Sequence, residues 1–267
     1  MKNLVGIVQG RLSPSPKKRL QFFPKDWAQE FKIASQLGYN FIEFFSERKL
    51  NKKNPIWNLI WIKEYLKLSK KYNLKIINFC DDYIISNSIE TKKTQIYLSK
   101  LLINLGKLKV KNLILPMYGK SNLNDKNYLK YVKSIKKIAY KSNNIKILIE
   151  SNISPYKFFE LKKKINSKKV LFLFDTGNRI NLKRNMYQDF ETMYHFIEHI
   201  HIKDKNINNE NVKLNTGLVD FNKFFKIVKK KKYKKNFTFE TTRNNDPINT
   251  AKNNLKFLKQ KLNEKKI

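Results

Sequence analysis

Glu150, Asp175, His201 and Glu240 carry the side chains best suited to joint chemistry in this chain. Each sits in or just after a short apolar run, as in Ile147-Leu-Ile-Glu, Phe172-Leu-Phe-Asp, Ile200-His and Phe237-Thr-Phe-Glu. A charge at the end of an apolar strand is costly unless something pairs with it. Three carboxylates and one imidazole at successive strand ends suit Mn2+, Mg2+, Co2+ or Zn2+, with positions left open for a substrate. The competing reading makes each carboxylate a helix N-cap and His201 a hydrogen-bonded core residue.

Further polar residues follow other strand ends. Gln9 and Arg11 follow the first and could bind an oxygen-rich or anionic substrate, while Glu43 would form a polar wall at the end of the second. Lys203 lies two residues beyond His201 and therefore on the same side of its strand. Arg243 falls in the loop after the eighth strand, a region that often meets phosphate in barrels. Cys80 reads as a small buried filler and His195 and His199 as helix and strand-face residues, whereas Asp204 would orient His201 or cap a turn.

These positions need a scaffold, and the sequence supplies one by alternation. Strands are expected at Leu4–Val8, Phe41–Phe45, Lys75–Phe79, Asn112–Pro116, Lys146–Glu150, Val170–Asp175, Ile200–Lys203 and Phe237–Glu240. Between them lie apolar stripes at helical spacing. Trp27, Phe31, Ala34 and Leu37 precede a C-cap glycine at Gly38; Leu98, Leu101, Leu102 and Leu105 are closed by Gly106. Leu129, Val132, Ile135 and Ala139 form a third stripe, and Ala251, Leu255, Leu258 and Leu262 the last. Asp26 and Asp246 stand where N-caps belong, the latter followed by Pro247. The sixth unit is weakest, with only Tyr187 to Phe196 available as a helix. Strict alternation implies parallel strands with right-handed crossovers. Gln9-Gly10-Arg11-Leu12 lacks the glycine spacing of a dinucleotide fold, and no phosphate-loop pattern occurs. The expected fold is therefore a single α/β domain over residues 1–267, closed as a (β/α)8 TIM barrel.

Composition bounds what such a domain does. At 267 residues and 41% hydrophobic, the chain fills one core, and its short, interrupted apolar segments predict no membrane span. The first ten residues lack the pattern of a signal peptide, and one cysteine makes an internal disulfide impossible, so a cytoplasmic setting is expected. The net charge of +36 comes almost entirely from scattered Lys; Arg occurs only at positions 11, 19, 48, 179, 184 and 243. Nucleic-acid readers concentrate charge on one face and favour Arg, so no specific nucleic-acid partner is expected.

The segments Ile147-Leu-Ile-Glu-Ser-Asn, Phe174-Asp-Thr-Gly-Asn, His199-Ile-His-Ile-Lys-Asp, Thr216-Gly-Leu-Val-Asp-Phe and Phe237-Thr-Phe-Glu, in this order, resemble the blocks of the xylose isomerase-like TIM-barrel superfamily. Its members include sugar-phosphate isomerases/epimerases, ketose 3-epimerases, inosose dehydratases, hydroxypyruvate isomerases and endonuclease IV. The resemblance, which takes in Gly6-Ile-Val-Gln-Gly-Arg-Leu-Ser-Pro and Gly38-Tyr-Asn-Phe-Ile-Glu, spans nearly the whole chain. It implies one divalent ion, Mn2+ before Mg2+, Co2+ or Zn2+, on Glu150, Asp175, His201 and Glu240. It also implies proton transfer beside a carbonyl of a sugar or sugar phosphate through a metal-stabilised enediolate, with Glu150 and Glu240 removing and returning the proton from opposite faces. Asn178 stands where ketose epimerases carry a histidine; it can bind a hydroxyl but cannot shuttle a proton. Their substrate-contacting Glu and later Arg have no counterpart in Ser154-Pro-Tyr-Lys or Lys205-Asn-Ile-Asn. The resemblance thus implies the metal centre more directly than 3-epimerisation of a free ketose. A metal-dependent dehydratase or lyase shares the same first proton abstraction. An endonuclease IV-like phosphodiesterase needs a histidine-rich three-zinc cluster that 3 His cannot build, and a non-catalytic sugar-binding barrel would leave the ligands idle. Members of the superfamily often dimerise, so a homodimer is among the expected assemblies.

Overall fold

Short apolar segments that are buried on both faces must be parallel strands covered by helices, and they are. The computed structural model describes residues 3–15 and 20–263. The barrel strands are β1 (Val5–Val8), β2 (Phe41–Ser46), β3 (Asn78–Asp81), β4 (Asn112–Pro116), β5 (Lys146–Glu150), β6 (Val170–Asp175) and β7 (Ile197–Ile202). A two-residue antiparallel ribbon follows, β8 (Asp204–Lys205) with β9 (Asn211–Val212), before the eighth barrel strand, β10 (Asn236–Phe239). The barrel closes in the order β1-β10-β7-β6-β5-β4-β3-β2. A TIM barrel was therefore the right expectation.

The chain divides into two compact units, Met1–Phe41 with Phe174–Ile267, and Ile42–Leu173. In the first, β10 pairs with both β1 and β7, which sets Thr238 opposite Gly6 on one side and opposite His201 on the other. Its aromatic core gathers Phe174, Phe190 and Phe224, with Tyr233 against Phe190 and Phe237. In the second, β2 through β5 pair in sequence order. Helix Lys92–Leu108 buries Leu98, Leu101, Leu102 and Leu105 there.

Several local expectations need correction. Helix Gln29–Leu37 ends on Gly38 in the left-handed region (φ 88), as its spacing predicts, but it starts after Asp26 and has no side-chain cap. Gly106 does not end its helix, which runs to Leu108 and is capped by Lys109 at φ 61. Leu129 is exposed, because a 3-10 turn at Tyr128–Tyr131 rotates it off the stripe of helix Val132–Lys141. The third strand starts and ends later than its β-branched run suggests, and the seventh starts and ends earlier, with His199 on a strand as expected. Asp246 is the expected cap: its Oδ1 accepts from the Asn249 amide. The weak sixth unit holds two helices, Thr176–Ile180 and Met186–Met193.

Candidate metal centre

Parallel strands project the residues at their C-terminal ends into one mouth. Within the first unit, β6 ends on Asp175, β7 carries His201 in its penultimate position, and Glu240 directly follows β10. The three side chains meet. His201 Nδ1 lies 3.2 Å from Glu240 Oε2 and 3.7 Å from Asp175 Oδ2. Asp175 and His201 are buried, and the Glu240 side chain is 13% exposed.

The two oxygens of Asp175 have different tasks. Oδ1 accepts the Asn178 amide at 2.6 Å and so caps helix Thr176–Ile180. Oδ2 is buried and accepts no hydrogen bond; it faces the Lys203 ammonium at 3.0 Å. The cap reading of this residue is thus borne out on one oxygen, which leaves the other for the site. Lys203 Nζ also reaches Glu240 Oε2 at 2.8 Å, and Arg11 Nη2 lies 3.9 Å from Oε1. Burial pushes the Asp175 carboxyl above its ordinary value, with Lys203 pulling the other way and Glu240 adding to the rise. Burial acts in the same sense on Glu240, but Lys203, His201 and Arg11 together hold it well below the usual carboxylate range.

Gln9 and Arg11 are buried on the turn after β1. Glu30 fixes that turn: it accepts from the amides of Gly10 (2.7 Å) and Leu12 (3.1 Å) and from the Ser13 hydroxyl (2.8 Å). Burial raises the Glu30 carboxyl, while these donors and the Arg243 charge oppose the rise. Arg243 is brought to the same turn, donating from Nε to the Gly10 carbonyl at 2.6 Å with its guanidinium 4.7 Å over the Phe22 ring. Burial and the Arg11 charge push Arg243 down to about 9. Asp204 does not orient His201; it accepts from the Gly217 and Val219 amides and so holds the turn after the ribbon. His199 pairs with the Thr238 hydroxyl at 2.7 Å. Asn178 is half-buried.

In the second unit, Glu150 closes β5, is 4% exposed, and has the Tyr118 hydroxyl 3.2 Å from Oε1. Glu43 lies mid-strand rather than at an end, because β2 continues to Ser46. Asn78 donates to Glu43 at 2.7 Å and itself accepts from Asn112 at 2.8 Å, a polar ladder across three strands. Cys80 is the buried filler its setting predicts, with Sγ 3.6 Å from Asp82 Oδ1.

One cluster in this unit joins a strand-end acid to two partners that the sequence does not reveal. Asp81 ends β3 and is fully buried; it accepts from Ser46 at the end of β2 and from the Tyr97 hydroxyl at 2.9 Å. The Asp81-Asp82 pair at a strand end was the available signal; Tyr97, on a distant helix, left none. Burial pushes the Asp81 carboxyl up to about 6, against the hydrogen bonds from Ser46 and Tyr97. A raised acid binds its proton more tightly when folded, so its contribution to stability is lost as pH climbs through about 6. Asp81→Asn keeps an acceptor for both hydroxyls and removes the titration. Urea denaturation should show the variant gaining roughly 3 kcal/mol on wild type between pH 4 and pH 8. A stability difference that stays level across that range would contradict this assignment.

The description Xylose isomerase-like TIM barrel matches residues 31–261. The chain belongs to this family. No curated protein is similar enough in sequence to count as a relative. Solved structures with this barrel include a D-psicose 3-epimerase from Clostridium cellulolyticum H10, with 14% identity, TM-score 0.74 and 98% of this chain on 99% of that one. A 3-keto-D-glucoside 4-epimerase from E. coli gives 17% identity and TM-score 0.72, with 97% of this chain on 100% of that one. A probable 3-DHS dehydratase from Bacillus anthracis gives 16% identity and TM-score 0.72, over 97% and 99%. At these identities the likeness is one of fold. In a xylose isomerase-like barrel the mouth at the strand ends is where chemistry belongs, and here it holds Asp175, His201 and Glu240.

Proposed function

We propose that this chain is a divalent-metal-dependent isomerase or epimerase of sugars or sugar phosphates. The observation that carries the reading is the meeting of Asp175 Oδ2, Glu240 Oε2 and His201 Nδ1 at the mouth of a xylose isomerase-like barrel. The donor set fits a divalent ion. Carboxylates and imidazole are ligand types that such an ion takes, and Asp175 Oδ2 is a buried oxygen that accepts no hydrogen bond. Glu150 is the proposed fourth ligand, because β5 neighbours β6 in the strand order and ends on this residue. Mn2+ is the first expectation, then Mg2+, Co2+ or Zn2+. When bound, such an ion supplies Lewis-acid polarisation of a carbonyl oxygen.

The remaining work falls to the chain. Arg11 lies 3.9 Å from Glu240 Oε1, and its charge favours the ionised carboxylate, which would take a proton from a carbon beside the carbonyl. Glu150, hydrogen-bonded by Tyr118, returns a proton from the other face. Glu150 would start protonated and end ionised, Glu240 the reverse, and exchange of both carboxyls with water would restore the starting pair. Gln9, Arg11 and Lys203 would donate to substrate oxygens, and Arg243 would meet an anionic group. Asn178 would bind a hydroxyl, and Glu43 would help wall the pocket. The epimerase titles of the solved barrels support this class of substrate.

Incubating the Mn2+-loaded protein in D2O with free and phosphorylated aldoses and ketoses tests the reading by mass spectrometry and NMR. The expected product is an isomer that carries one carbon-bound deuterium. Loss of water instead would make the chain a dehydratase. If no sugar takes up deuterium although the ion is bound, the isomerase reading is wrong.

A further inference from the structure

Lys203 is the buried lysine among the described residues of a lysine-rich chain. Ordering and desolvating so long a charged side chain is costly, so its surroundings must compensate. They are built for it. Its amide donates to Thr176 Oγ1 at 3.0 Å, and the Thr176 hydroxyl donates back to its carbonyl at 2.6 Å. Its stem runs over Gly177, where an added Cβ would lie 2.8 Å from Lys203 Cγ and 3.2 Å from its Cβ. Gly177 has no positive φ, so the glycine is there for space. The ammonium then lands 3.0 Å from Asp175 Oδ2 and 2.8 Å from Glu240 Oε2. These are the same two oxygens that His201 Nδ1 faces.

From this placement we infer that Lys203 is a tethered counter-ion holding the place of the metal, and that metal loading is an exchange in which the ammonium leaves Asp175 Oδ2 and Glu240 Oε2. This inference rests on the metal reading of the site given above. The two oxygens that would hold an ion are the two that Nζ now occupies, and two cations sharing them would repel. Without the ion, the ammonium separates two carboxylates that would otherwise repel each other. The released Nζ remains on its clamped backbone beside the mouth as a donor for a substrate oxygen. Lys203 therefore acts as a positioning residue in the metal-free chain.

Reciprocal coupling between two exclusive occupants makes the test direct. Calorimetric titration of metal-stripped full-length protein with MnCl2 should give Lys203→Met a roughly 5- to 150-fold lower Kd than wild type. Its metal-free melting temperature should fall, because Asp175 and Glu240 lose their shared cation. Gly177→Ala, which crowds the stem while keeping the charge, should shift the Kd in the same direction and covers the case in which Lys203→Met folds poorly. Unchanged or weaker Mn2+ affinity in both variants, with wild type binding normally, would overturn the exchange and leave the metal reading intact. No binding by wild type or either variant would overturn both.

Discussion

His201→Ala and Glu240→Gln should each strip the protein of its divalent ion and abolish isotope exchange. The two side chains lie 3.2 Å apart and share the space around Asp175 Oδ2, so neither can be replaced by a neighbour. Loss of a residue that merely orients a ligand costs 10- to 100-fold in metal affinity. Loss of a ligand should exceed about a hundredfold. Glu240→Gln also removes the proposed base, which adds roughly 10²- to 10⁴-fold in rate. The variant still folds around the Lys203–Asp175 pair at 3.0 Å, and circular dichroism should confirm this. Elemental analysis beside wild type reads the result. Near-stoichiometric ion in either variant would remove that residue from the ligand set.

Glu30→Ala should be the most damaging change away from the centre itself. Glu30 is 1% exposed and accepts three hydrogen bonds from the turn that carries Gln9 and Arg11. Removing it leaves the Gly10 and Leu12 amides buried without their acceptor, at about 1–3 kcal/mol each. It also deprives the neighbouring Arg243 of a compensating charge. The expected loss of about 2–5 kcal/mol corresponds to a fall of roughly 5–15 °C in melting temperature for a chain of this size. Activity should fall further than stability, because Arg11 faces Glu240 from this turn. Metal content, held by residues on other loops, should survive. A variant that melts within a degree or two of wild type would show that the turn holds itself without Glu30.

Periodicity alone made the barrel legible. Each strand is a short apolar run, each helix an amphipathic stripe, and alternation leaves few topologies. The chemical types of Asp175, His201 and Glu240 were equally plain, since a charged group at the end of an apolar strand must be paired with something. What escaped were contacts between residues far apart in sequence. Asp81 looks like any strand-end acid until Ser46 and Tyr97 close over it. Glu30 looks like a surface helix residue until the β1 turn folds onto its carboxylate. Lys203 was placed on the correct side of its strand by the two-residue repeat, but nothing in the repeat says that its ammonium spans Asp175 and Glu240. Hydrophobic period is a local property and is written in the chain. The pairing of a buried charge depends on which distant atoms arrive beside it, and that is decided only when the barrel closes.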